Sequence, residues 1–360
     1  MPIQGEKRAF VTGNETVAWA ALAAGADIMY GYPITPQNEI MHYWTRLAPK
    51  FGKDFLQTED ETSAGFATLG GIFAGKRAFS GTSGPGTMLM QESMCMAEMM
   101  RLPVVLVVQQ RGGPSTATVI YSQQETTMTC YGGNGEGLRI VYSTCNHQEL
   151  FDYTIKAFDV AWKHRFPTFI LGDGYQAKMR EPVTMYDPAA RGMTLCPTEP
   201  FVGKPGTPGR DRDPEHCCNT YNTEEELFAV VQELDRSYQK IIPQVVEYQT
   251  FATDDEPEIV IVAHGVVTRA AQAAVKELRA QGIKVGHFRP ITVRPFAGKA
   301  LRPLADTAKV ILVAESALGQ LEKIVTQGIY GCRTPLERFF KPGEGITTEE
   351  LVAKVKSLKY

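Results

Sequence analysis

Pro103-Val-Val-Leu-Val-Val-Gln109, running straight into Gln110-Arg-Gly-Gly-Pro-Ser-Thr116, reads as a strand that is apolar on both faces and ends in a glycine-rich loop. Such a strand is covered on both sides, as a central strand is in a mostly parallel sheet with crossover helices. Outward from it, between residues 8 and about 181, short apolar runs bounded by Gly or Pro alternate with helical stretches. Further strands are expected at 28–30, 77–80, 138–142 and 168–171, and helices at 16–24, 61–74, 88–100 and 148–163. The first block is thus an α/β unit.

Beyond it the pattern changes. CPTEPFVGKPGTPGRDRDPEHCCN, residues 196–219, is rich in Pro and Gly, mixed in charge and poor in periodicity, so 182–254 reads as a long ordered excursion or a linker. It carries one helix at 223–240, with Glu224, Glu225 and Glu226 at its positive end. From residue 258 strands and helices alternate again: EIVIVAHG, TRAAQAAVKELRAQ, KVGHFRP, a helix at 298–304, KVILVAES and LGQLEKIVTQGIY. The expected division is 1–185, 186–254 and 255–360.

Composition agrees with two α/β blocks: 360 residues, 43% hydrophobic and 21% charged. A net charge of -3 with dispersed Lys and Arg argues against a nucleic-acid surface. The start, MPIQGEKRAFVTG, lacks the apolar core of a secretory signal, and no run approaches the roughly 18–20 apolar residues of a membrane helix. A cytoplasmic protein that engages neither membrane nor nucleic acid is expected. Seven cysteines without a C-x-x-C pair suit free thiols, and His216-Cys217-Cys218 lacks a second half-site for a metal. No metal ligands are expected in this chain.

Three segments of the first block carry chemistry. In Gly31-Tyr-Pro-Ile-Thr-Pro-Gln37, two prolines stiffen a loop after a strand, the place where α/β proteins bind ligands. Thr35 either presents its hydroxyl to a ligand or caps the next helix. In Gln57-Thr-Glu-Asp-Glu-Thr-Ser-Ala-Gly65, three carboxylates enter a helix of small residues, expected to be deeply buried. Glu59, Asp60 and Glu61 suit a helix start, yet Ala64 and Gly65 offer Glu61 no charge partner. A carboxylate desolvated there gains pKa and can exchange a proton near neutrality. Ser80-Gly-Thr-Ser-Gly-Pro-Gly-Thr87 is a glycine-rich loop whose N–H groups suit an anion, but it matches neither the P-loop nor the dinucleotide fingerprint. Arg111, followed by Gly112 and Gly113, suits bidentate grip of a carboxylate or a structural pair with an acid. The methionine-rich 88–100 helix reads as core.

The order GYPITP, QTEDETSAGFATLGGIFAGKRAFSGTSGPG, LPVVLVVQQRGGPST closely resembles the α subunit of 2-oxoacid:ferredoxin oxidoreductases, of the 2-oxoglutarate and branched-chain types. The likeness extends to Phe288-Arg-Pro-Ile-Thr-Val-Arg-Pro295 and Val313-Ala-Glu-Ser-Ala-Leu-Gly-Gln320. It implies a pyrimidine-binding thiamine diphosphate domain, then a domain like the carboxyl-terminal domain of transketolase. It implies coenzyme A-dependent oxidative decarboxylation of a 2-oxoacid, with electrons passed to ferredoxin or another acceptor. Mg²⁺, the diphosphate and a [4Fe–4S] cluster are implied on a partner β subunit, with γ and ferredoxin-like δ subunits in the complex. Residue by residue, Glu61 matches the glutamate that hydrogen-bonds the aminopyrimidine, and Thr35 and Arg111 match residues at the substrate carboxylate. Pro33, Ile34, Thr82, Ser83 and Gly84 match the cofactor's surroundings.

Gly172-Asp-Gly174 looks like the start of a diphosphate motif but has no Asn at the required distance, which agrees with a diphosphate bound by the partner subunit. One stretch departs from the family pattern. After Thr116 the chain reads Ala-Thr-Val-Ile-Tyr121 where relatives continue with glycine. That apolar stretch suits a branched or aromatic side chain, whereas 2-oxoglutarate, the favoured substrate, needs a second cation. The rival readings are a non-oxidative thiamine enzyme component and a non-catalytic subunit of such a complex.

Overall fold

The computed structural model describes residue 3, residues 5–120 and residues 122–359. In chain order the first strands are β1 (Glu6–Thr12), β2 (Ile28–Gly31), β3 (Asp54–Gln57), β4 (Ala78–Thr82), β5 (Val105–Gln110), β6 (Ile140–Ser143), β7 (Thr168–Asp173) and β8 (Arg180–Tyr186). Then follow β9 (Tyr248–Phe251), β10 (Ile259–Val262), β11 (Val285–Pro290), β12 (Thr292–Arg294), β13 (Val310–Glu315) and β14 (Leu336–Phe340). A seven-stranded sheet has the order β12-β6-β7-β5-β4-β2-β3, and a five-stranded sheet the order β14-β13-β10-β11-β9. β5 lies between β4 and β7, parallel to both, and every one of its residues is buried. The double-faced apolar run of the sequence is therefore the spine of the first sheet.

Two hydrophobic layers flank that sheet. One gathers Trp44, Phe79, Phe151 and Phe158 with Val105 and Val107; the other gathers Met90, Met94, Leu106 and Val108 with Phe169. Alternate residues of β5 thus feed opposite layers, as pleating requires. The stretch 196–219 is an ordered excursion: Phe201 packs edge-on to Phe73 and its amide bonds the Phe73 carbonyl at 2.9 Å. The following helix, Glu224–Val245, continues past the expected end and accommodates Pro243.

Several expectations change. The methionine-rich segment is two helices, Pro85–Leu89 and Gln91–Met99; Met90 and Met94 are core, whereas Met88 is exposed. Helix Glu61–Phe73 is buried along one face only, leaving Phe66 and Gly70 exposed. The antiparallel ribbon of β1 with β8 was hidden in the sequence, because EKRAFVT mixes charge with apolar residues without a clean period. β12 comes from beyond residue 254, yet it pairs antiparallel with β6, Thr292 opposite Tyr142, and covers that edge of the first sheet. All seven cysteines carry free thiols. Among the described residues no helix is long and apolar enough to cross a membrane.

Candidate active site

The carboxyl ends of β2, β3, β4 and β5 deliver the chemistry-bearing segments to one place. The loop after β2 is held from behind: Asn14 Nδ2 donates to the Pro36 carbonyl and to Glu39, both at 2.7 Å. The helix that follows, Asn38–Leu47, has Gln37 at its N-cap, so Thr35 is not the cap. What ties Thr35 to the site is its carbonyl, which accepts Arg111 Nη1 at 2.8 Å. Ile34 closes the turn by accepting the Asn38 amide at 2.9 Å, and Pro33 is exposed; no hydrogen bond ties either to Glu61.

Glu61 opens helix Glu61–Phe73, with Asp60 as the N-cap whose side chain accepts the Ser63 amide at 2.7 Å. The cap uses Asp60 and leaves the Glu61 carboxylate to point elsewhere. It is 5% exposed. Burial is the chief cause that pushes its pKa above the ordinary carboxylate value; Asp60 adds to this, while its own amide and Arg111 act against it. No other residue donates a hydrogen bond to this carboxylate among the described residues, so its proton-holding capacity is free for a ligand.

The glycine-rich loop brings the rest. A β-carbon at Gly84, where φ is +53°, would lie 2.5 Å from Arg111 Nε; one at Gly86 would lie 2.3 Å from Thr82 Oγ1 and 2.7 Å from Glu61 Oε1. Thr82, Gly84, Gly86, Glu61 and Arg111 therefore share one small volume, which only glycine backbone leaves open. Gly86→Ala is expected to displace Glu61 while the backbone stays in place, lowering turnover of the assembled enzyme roughly 10²-fold with the circular dichroism spectrum unchanged. Unaltered turnover would refute this arrangement.

The anion that this loop grips is internal. The Gly84 amide donates to Glu125 Oε1 at 2.7 Å, Thr87 Oγ1 donates to the same oxygen at 2.6 Å, and the Arg111 amide donates to Glu125 Oε2 at 2.8 Å. Glu125 is fully enclosed, and burial pushes its pKa up to about 7 against the pull of those donors. Sequence reasoning missed it. Its one signal is that it is the only acid in the polar run Ser122–Thr129.

Arg111 is 5% exposed, makes no ion pair among the described residues, and its Nε is buried without a partner. The reading of Arg111 as half of a structural ion pair therefore falls. Ser80 Oγ, Thr82 Oγ1 and Ser83 Oγ are also buried and unpartnered. Unsatisfied groups at this density are costly unless water or a ligand meets them. A desolvated carboxylate able to hold a proton, with unused hydroxyls beside it, fits the aminopyrimidine edge of thiamine diphosphate, whose ring nitrogens exchange and share protons. Asp173 of the Gly172-Asp-Gly174 sequence has another use: it caps the short helix Gly174–Lys178 by accepting the Gln176 amide at 2.8 Å. Among the described residues no group of three or more His, Cys, Asp or Glu is placed to hold a metal ion. Tyr121 lies outside the described residues.

Comparison with known proteins agrees with this geometry. The family profile for the thiamine-diphosphate-binding part of pyruvate flavodoxin/ferredoxin oxidoreductases matches residues 19–249, and that for pyruvate:ferredoxin oxidoreductase core domain II matches residues 257–348. Ketoisovalerate oxidoreductase subunit VorB of Methanothermobacter thermautotrophicus is 33% identical over 329 residues, covering 90% of each chain. 2-Oxoglutarate synthase subunit KorA of Methanocaldococcus jannaschii is 34% identical over 332 residues, covering 87% of this chain and 89% of its own. In fold, the chain is similar to 2-oxoglutarate:ferredoxin oxidoreductase from Magnetococcus marinus, with a TM-score of 0.88 and 24% identity over 97% of this chain; it spans 65% of that solved chain. A split-gene transketolase shares the fold more distantly, with a TM-score of 0.58 and 15% identity over 95% of each chain. The chain belongs to the pyruvate flavodoxin/ferredoxin oxidoreductase family, among the α subunits of 2-oxoacid:ferredoxin oxidoreductases, and its thiamine-diphosphate-binding part comes first.

Proposed function

We propose that this subunit supplies the pyrimidine half of a thiamine diphosphate site and the substrate clamp for coenzyme A-dependent oxidative decarboxylation of a 2-oxoacid. The observation that carries the reading is the meeting of Glu61, Thr82 and Arg111 around Gly84 and Gly86. Thiamine diphosphate, when bound, supplies the nucleophilic carbon that adds to the 2-oxoacid carbonyl and takes up the electrons freed as carbon dioxide leaves. Glu61 holds and returns a proton at the aminopyrimidine edge, a role suited to a carboxyl whose pKa is raised by burial. Arg111 pairs with the substrate carboxylate, and the Thr35 carbonyl sets its guanidinium for that contact. The reading assigns 1–185 to the pyrimidine-binding unit, 186–254 to the excursion with its helix, and 255–360 to the transketolase-like unit.

The diphosphate, Mg²⁺ and [4Fe–4S] cluster are assigned to a β subunit, with γ and δ subunits completing electron transfer to ferredoxin. The β subunit would seat over Phe66, Met88 and Leu89, which are 38%, 58% and 43% exposed. Thr62 Oγ1 bonds the Leu89 carbonyl at 3.5 Å, so Phe66, one turn after Thr62, lies on the same side as Leu89 and next to the Glu61 pocket. Apolar side chains grouped this way mark protein contacts. Phe66→Asp with Leu89→Asp is expected to weaken assembly by roughly 10²-fold or more while the isolated chain melts as before. Native mass spectrometry and a thermal melt measure both; full assembly of the double variant would rule out this face. The reading puts the complex in the cytoplasm, and free thiols, which stay reduced there, support it.

2-Oxoglutarate is the favoured substrate. A branched-chain 2-oxoacid is the second reading, supported by Val119 and Ile120, apolar and partly exposed soon after Arg111. Purified native complex, assayed with a panel of 2-oxoacids, coenzyme A and a low-potential dye, tests the activity and chooses between them. No acyl-coenzyme A formation from any 2-oxoacid would overturn the function.

A further inference from the structure

Residues 122–127 are held from both sides. The five-stranded sheet clasps them: Gln123 exchanges backbone and side-chain hydrogen bonds with Ser316, its amide donating to the Ser316 carbonyl and its Oε1 accepting the Ser316 amide, both at 2.9 Å. Gln123 Nε2 donates to the His264 carbonyl at 2.8 Å. Gln320 spans the segment, its Nε2 donating to the Gln124 carbonyl at 2.7 Å and its Oε1 accepting the Thr127 amide at 2.9 Å. On the other side Glu125 receives Gly84, Thr87 and Arg111, three donors from two different loops. Ser316 directly follows β13 and His264 lies two residues beyond β10, so the second sheet reaches the active site through this segment.

We infer that Glu125 is a positioning residue: it fixes the Gly84 turn and the start of the Arg111 loop as one unit, and the second sheet sets its place through Gln123 and Gln320. The inference rests on the proposed role of Arg111 at the substrate carboxylate. Both oxygens of Glu125 are used, so the loop amides are pinned in two places at once. A shorter or neutral side chain cannot serve all three donors: Asp falls one methylene short, and Gln turns an NH₂ group toward a donor. The Arg111 side chain is then free to swing, because its remaining hydrogen bond is the single one to Thr35.

The assembled complex provides the test. Glu125→Gln is expected to raise the KM for the 2-oxoacid about tenfold or more while the KM for coenzyme A holds. The same change in an Arg111→Met background should add almost nothing, the signature of residues acting through one contact. Hydrogen exchange gives a readout independent of turnover: the Gly84 and Arg111 amides should lose protection in Glu125→Gln while the amides of β5 keep theirs. Gln320→Ala, which leaves the carboxylate in place and loosens the clasp, should shift KM the same way by less, and it serves if Glu125→Gln does not fold. Additive effects in the double variant, or unchanged protection at Gly84 and Arg111, overturn the inference. An unchanged KM in Arg111→Met alone overturns the substrate role of Arg111, and with it the action of Glu125 through that side chain; retained Gly84 protection is what separates the two failures.

Discussion

Glu61→Gln in the assembled enzyme is expected to reduce 2-oxoacid decarboxylation by roughly 10²–10⁴-fold, the usual size of a positioned acid–base contribution. Glutamine keeps the shape of the side chain and much of its hydrogen bonding, so cofactor and subunits should still assemble. What it loses is the proton. The raised pKa makes the stability consequence calculable in sign. A carboxyl whose folded-state pKa lies above its unfolded value binds its proton more tightly when folded. That contribution is fully present below the ordinary carboxylate pKa and is lost as pH rises through the raised one. As pH rises through the raised value the wild-type chain therefore loses stability that the variant keeps, so the variant's Tm should gain on that of the wild type with rising pH. Turnover near normal would remove Glu61 from the mechanism; turnover lost together with Tm would show a folding defect instead.

The second large effect is expected at Arg111. A guanidinium that is 5% exposed, with an unpartnered Nε and no carboxylate within ion-pair distance among the described residues, is a buried charge awaiting a counter-ion. A substrate carboxylate meets that need, and a buried charge pair truncated on one side costs about 2–5 kcal/mol. Arg111→Met should thus raise the KM for the 2-oxoacid by roughly 10²-fold or more, with a smaller change in kcat. Arg111→Lys should recover only part of this, since a single ammonium cannot hold the Thr35 carbonyl and a carboxylate in the same planar fork. Steady-state kinetics over a wide substrate range decide it, and an unchanged KM would send the search for the clamp elsewhere.

The central features of the candidate site are legible in the sequence. Val104 to Val108 announced the spine of the sheet, and the loops after β2, β4 and β5 had to share its carboxyl edge. Glu61 stood out because nothing in its own helix could neutralise it. Other features depended on distant partners. The sequence points to the Thr35 hydroxyl, yet it is the carbonyl that Arg111 uses. Its glycines make the 80–87 loop an anion receptor, and the anion is Glu125, forty-one residues along. Glu125 carries only the weak signal of a single acid in a polar run, since its meaning comes from where Gly84 and Arg111 end up. β12 is three residues long and pairs across the chain, too short for any periodicity. Met90 divides a segment that reads in the sequence as one helix, and Met90 and Met94 are core whereas Met88 is exposed.

The pairing of Thr292–Arg294 with Ile140–Ser143 has a consequence for how the chain is made. As the polypeptide leaves the ribosome, the first sheet is nearly complete once β7 has emerged, but its β6 border keeps open hydrogen-bonding groups until residue 294 follows. For that interval the nascent chain carries a sticky border of the kind that invites pairing between chains. Chaperone protection during synthesis is most valuable in that window, and gene fragments that stop before β12 would leave the border open permanently.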